Sequence, residues 1–109
     1  MVKFMITFRQ PENLPVFESA YNDLLALIER MPDIQRRQVV SVLGSPLGQA
    51  SYYRILEIYF ESQERLEESL KSKAGQEAGA ELGRRFKGGS YEALFAEVYE
   101  EAGGRTVGS

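Results

Sequence analysis

Few kinds of side chain in this chain can do acid–base chemistry, because its 109 residues include no histidine and no cysteine. Thiolate nucleophiles, zinc-finger sites, His-based triads and imidazole ligands are thereby excluded. Carboxylates, phenols and cationic side chains remain. Two carboxylates stand out by their company: Glu57 in "YYRILEIYFES", between Ile55 and Tyr59, and Glu97 in "YEALFAEVYE", between Phe95 and Tyr99 at alternate positions. A carboxyl group among apolar rings has its pKa pushed toward neutrality, where it can accept or return a proton. Glu57 and Glu97 are therefore the candidate catalytic groups, with Tyr53 or Tyr59 as hydrogen-bond donors. The alternative is structural. Each carboxylate pairs with a base such as Arg9, Arg36 or Arg37, since buried charge is tolerated only when paired.

These residues need elements to hold them. Val2 to Arg9 alternates with period two and reads as a strand. "QPENLP" breaks it, with Asn13 or Leu14 at a helix cap and Pro15 in the first turn. Phe17, Tyr21, Leu24, Ile28 and Met31 then step at helical spacing until Pro32 ends the run. Ile34 to Leu43 is a second strand, and Gly44 to Ala50 is turn chemistry that predicts a hairpin with a flexible tip. The Glu57 stretch is the third strand. Ser62 caps a helix that carries Leu66 and Leu70, and a further helical piece runs from Lys73 to Phe86. Gly75, Gly79 and Gly83 share a stripe there and predict close packing against a neighbour. Tyr91 to Glu100 is the fourth strand. The order β-α-β-β-α-β gives an α+β, ferredoxin-like sandwich over residues 1–100, with both helical segments on one face of a four-stranded antiparallel sheet. Residues 101–109 lack periodicity and read as a flexible tail.

Strand parity predicts what the other sheet face carries. Met5, Thr7 and Arg9 come from the first strand, Tyr53, Ile55, Glu57 and Tyr59 from the third. Tyr91, Ala93, Phe95, Glu97 and Tyr99 come from the fourth. A solvated sheet face alternates with clearly polar residues, whereas this one is largely aromatic and aliphatic. Its size predicts burial against a second copy of the chain. Tyr53, Tyr59, Phe95, Met5 and Arg9 are the candidate ligand-binding residues, facing a small apolar or aromatic molecule. No metal and no cofactor is called for. The net charge of −3, with dispersed Lys and Arg, gives no nucleic-acid footprint. No apolar run reaches the roughly 20 residues that cross a bilayer, and the chain opens directly into a strand pattern, so a cytoplasmic location is expected. "RRFKGGS" follows a helix instead of opening one, so it reads as a charged helix end and not as a phosphate loop.

Four stretches together carry a family resemblance: "VLGSP" (Val42 to Pro46), "YYRILEIYFES", "LEESLKSKAGQEAGAEL" (Leu66 to Leu82) and "LFAEVYE" (Leu94 to Glu100). In these the chain resembles the EthD-like family of the dimeric α/β-barrel superfamily, over roughly Met1 to Glu100. The resemblance implies a ferredoxin-like protomer whose sheet joins a partner's sheet into a barrel with a small internal cavity. Some members are auxiliary proteins of ether-degrading oxygenase systems; the wider superfamily includes monooxygenases, cyclases, dehydratases and haem-degrading enzymes. Members commonly carry a His in the first helix, a few residues before its closing Pro. Here Leu24 or Leu25 holds that place. The resemblance therefore implies a homodimer, but neither a His-based proton transfer nor haem ligation. Two functions follow as expectations: a homodimer that binds a small apolar or aromatic molecule in its barrel, or a non-catalytic accessory dimer supporting an oxygenase-type degradation system.

Overall fold

Sequence-local signals set the element boundaries. The computed structural model describes residues 1–99, in the order β1 (Val2–Arg9), α1 (Leu14–Ile28), β2 (Arg36–Ser41), β3 (Tyr52–Phe60), α2 (Gln63–Lys71), α3 (Lys73–Arg85) and β4 (Tyr91–Glu97). Asn13 caps α1 by accepting from the Val16 amide at 3.1 Å. Ser62 caps α2 through the Arg65 amide. Ser72 both ends α2 and starts α3: its hydroxyl donates to the Ser69 carbonyl at 2.6 Å and accepts from the Gly75 amide at 3.1 Å. After Pro32 the chain reverses through Asp33 at φ 68°, a left-handed conformation that Asp adopts more readily than most residues.

The strands form one antiparallel sheet in the order β2-β3-β1-β4. Each βαβ unit is split by a strand of the other, which is the ferredoxin-like topology. Ile6, Phe8, Leu56, Ile58 and Phe60 point to the helices and meet Phe17, Tyr21, Leu24 and Ile28 of α1 with Leu66 of α2. The Phe8 ring lies 5.2–5.7 Å from those of Phe17, Tyr21 and Phe86. Such offset and edge-on contacts add to area burial. The two central strands and α1 thus form the fixed platform for everything else.

Three local expectations need correction. The fourth strand ends at Glu97, while Glu100 and the expected tail, 101–109, lie outside the described residues. Of the three helical glycines only Gly75 is tightly packed; a Cβ on Gly79 or Gly83 would meet nothing within 4 Å. The parity of β4 is opposite to that expected. Register pairs Phe95 with Phe4 and Ala93 with Ile6, which puts Phe95, Glu97, Ala93 and Tyr91 on the helix side and Leu94, Ala96 and Glu92 on the open face. Both alternating sets of this edge strand contain apolar residues, so its own periodicity does not choose between them.

Candidate functional site

The open sheet face is built from cross-strand rows. Lys3, Tyr59 and Arg36 lie side by side, then Met5, Glu57 and Gln38, then Thr7, Ile55 and Val40. Glu57 sits where expected, and it is partnered. Lys3 Nζ donates to Glu57 Oε1 at 3.1 Å. The Tyr59 hydroxyl lies 2.9 Å from the same oxygen and 3.0 Å from Gln38 Oε1, so its one proton goes to either acceptor. The Arg36 guanidinium stands 4.2 Å over the Tyr59 ring, a cation–π contact. Tyr59 is only 5% exposed although, among the described residues, no helix covers this face. Lys3 and Gln38 were not singled out from sequence. Parity alone put Lys3 on this face, but choosing it as partner requires the β1–β3 register.

Other expected residues separate. Met5 belongs to the Glu57 row, and Arg9 lies at the end of β1, its guanidinium 5.3 Å from the Tyr52 ring. Phe95 and Glu97 are on the far side of the sheet. Phe95 packs on Phe4 with ring centroids 5.7 Å apart and stays 61% exposed. Glu97 is exposed and accepts from the Tyr99 hydroxyl at 2.7 Å, a bond that raises the Tyr99 pKa. The two carboxylates therefore do not share a site.

Tyr53 also moves to the helix side, for a definite reason. The β1–β3 register shifts between Phe8 and Arg9, so Arg54 pairs with Phe8 and Tyr52 with Arg9, and Tyr53 is the extra residue of a bulge. Tyr53 and Arg54 both reach α1. Arg54 holds Glu18 with two bonds of 2.8 Å, and the Tyr53 hydroxyl donates to Glu18 Oε2 at 3.0 Å. Its guanidinium also lies 4.6 Å from the Tyr21 ring. The bonds from Arg54 hold the Glu18 pKa below its ordinary value despite partial burial. The bond to Glu18 raises the Tyr53 pKa, and burial raises that of Tyr21. This cluster fastens β3 to α1.

A cleft of about 470 Å³ opens on the helix side where the β1–α1 and α3–β4 connections meet. Phe17, Ala20, Phe86 and Val16 line its apolar part, with Arg9, Arg85, Lys87 and Glu12 among its charged residues. A smaller hollow of about 170 Å³, lined by Thr7, Arg9, Tyr52 and Glu92 among others, shares Arg9 and Gly89 with it.

The four-stranded sheet with helices on one face defines a ferredoxin-like protein, and solved structures agree. An ethyl tert-butyl ether D (EthD) family protein from Bacillus halodurans C-125 superposes with a TM-score of 0.85 at 26% identity, covering 91% of this chain and 99% of its own. The resemblance to the EthD-like family carried by the sequence therefore holds in the fold as well. A hydroxynitrile lyase from Passiflora edulis matches with a TM-score of 0.72 at 14% identity, over 92% of this chain and 94% of its own. A dimeric ferredoxin-like protein of unknown function from Jannaschia sp. CCS1 matches at 0.63 and 16%, over 90% and 100%. At those identities the last two speak for the fold alone. No family model matches the chain, and no curated protein does. Among the described residues, no helix is long and apolar enough to cross a membrane.

Proposed function

We propose that this chain forms a homodimer through the open sheet face, and that the enclosed interior binds a small molecule with an apolar body. The observation that carries this reading is the ordered polar group in the middle of that face, Lys3–Glu57–Tyr59–Gln38, set among Met5, Ile55, Val40 and Leu94. Aromatic and aliphatic walls around a few convergent polar atoms suit such a ligand. Lys3 and Tyr59 both bond to Oε1 of Glu57, which leaves Oε2 to accept from a ligand donor. Similarity to a solved protein described as dimeric supports the pairing.

A second reading, a scaffold without chemistry of its own, is favoured by the same carboxylate. Glu57 already has an ammonium and a phenol as partners, as a structural ion pair does. Native mass spectrometry of the purified chain tests both readings. A dimer that carries an additional small-molecule mass supports the binding role. A bare dimer, with no ligand found on subsequent screening, supports the scaffold, and a monomer overturns the dimer.

A further inference from the structure

We propose that the cleft between the β1–α1 and α3–β4 connections is a second binding site, for an organic acid with an apolar body. Its volume of about 470 Å³ lies within the range of roughly 300–1,000 Å³ common to small-molecule sites. One part is apolar and fixed: Phe17, Ala20 and Phe86 are buried in the core, and Val16 forms an exposed wall. The other part is cationic. Arg85 is paired with Asp23 and Glu81, but Arg9 and Lys87 have no carboxylate partner among the described residues.

The turn that presents Lys87 is well defined. The Ser90 amide and hydroxyl both donate to the Lys87 carbonyl, and Gly89 has φ +86°, which favours glycine. The Ser90 carbonyl in turn accepts from the Arg9 amide at 2.9 Å. The backbones of Lys87 and Arg9 are thereby both tied to Ser90, at the mouth of an aromatic pocket. The N-terminus of α1 adds little, since Asn13 already satisfies the Val16 and Phe17 amides and Pro15 has none. Glu12 also lines the cleft and opposes an anion. Lys87 and Arg9, whose guanidinium also lies 5.3 Å from the Tyr52 ring, set two cations without a carboxylate partner among the described residues against one carboxylate, which leaves a net attraction. The apolar floor requires an organic body, which a bare phosphate lacks.

The test is amide NMR of the full chain, titrated with naphthoate and, separately, with neutral naphthylmethanol. Naphthoate is expected to shift Val16, Ala20, Gly88, Gly89 and Ser90, and to bind more tightly than the alcohol. Lys87→Gln and Arg9→Gln should each weaken naphthoate about ten-fold, the loss of one charge-assisted hydrogen bond, and leave the alcohol unchanged. Glu12→Gln should tighten naphthoate. Val16→Trp, at an exposed position, should block both compounds without unfolding the chain. Equal binding of acid and alcohol, no binding at millimolar concentration, or shifts confined to Met5, Ile55 and Leu94 would overturn the site. None of these outcomes bears on the dimer.

Discussion

Glu18 is the residue whose ionisation does most visible structural work. Arg54 clasps it with two short bonds, Tyr53 adds a third, and its carboxyl pKa is held below the ordinary 4.5. A depressed folded-state pKa contributes stability that is present above the unfolded value and lost as pH falls through the folded one. The acid limb of the stability curve should therefore steepen below pH 4.5, and Glu18→Gln should flatten it. At neutral pH that variant should cost only about 1 kcal/mol, because a third of the Glu18 side chain is exposed and water screens the pair. Chemical denaturation of wild type and variant from pH 3 to 7 measures both effects. An unchanged acid limb would mean that other carboxylates govern acid unfolding.

At the scale of elements, the α2–α3 corner makes the sharpest prediction. A Cβ on Gly75 would lie against the backbone of α2, including the Leu70 carbonyl oxygen at 2.5 Å, and main chain cannot rotate away. Gly75→Ala should cost about 3 kcal/mol, the upper end of the usual range for overpacked sites. Gly79→Ala, in open space on the same helix, should gain about 0.5–1 kcal/mol from its better helix propensity. Thermal unfolding of the two variants checks the contrast; equal losses would show that α3 packs elsewhere. The same helix illustrates what the sequence made legible. Ser62 as a cap, Pro15 in a first turn and the element order were all readable, since each rests on chemistry local to a few residues. Face assignment was readable only where strands alternate cleanly. It failed at Tyr53, where one extra residue inverts parity, and in β4, where Phe95 and Leu94 are both apolar. Glu57 was therefore found while its ion-pair partner Lys3 and its cross-strand neighbour Gln38 were not. Those pairings depend on register between strands that are distant in the chain.

At the scale of the molecule, the described residues form a slab of 49 × 39 × 19 Å, with helices on one side of the sheet only. Met5, Ile55, Val40 and Leu94 give the open face an apolar part around its polar group, and such a surface is normally buried against another layer; a second copy is the layer proposed. The corrected parity of β4 decides which substitution tests it. Leu94 is 39% exposed and stands beside Met5 on the open face, whereas Phe95 points to the helix side. Leu94→Asp would leave an unpaired charge in a dry contact, at a cost of about 3 kcal/mol, which weakens association roughly a hundred-fold. Phe95→Asp should leave the dimer intact, because its side chain lies outside the paired faces. Sedimentation velocity over a concentration series distinguishes the two. Wild type and Phe95→Asp are expected to run as dimers at micromolar concentration, and Leu94→Asp as a monomer. The reverse pattern would move the interface to the exposed helix side of β4, around Phe95 and Ala93. A monomeric wild type would leave the Tyr59–Glu57 group facing water and remove the enclosed interior on which its ligand depends.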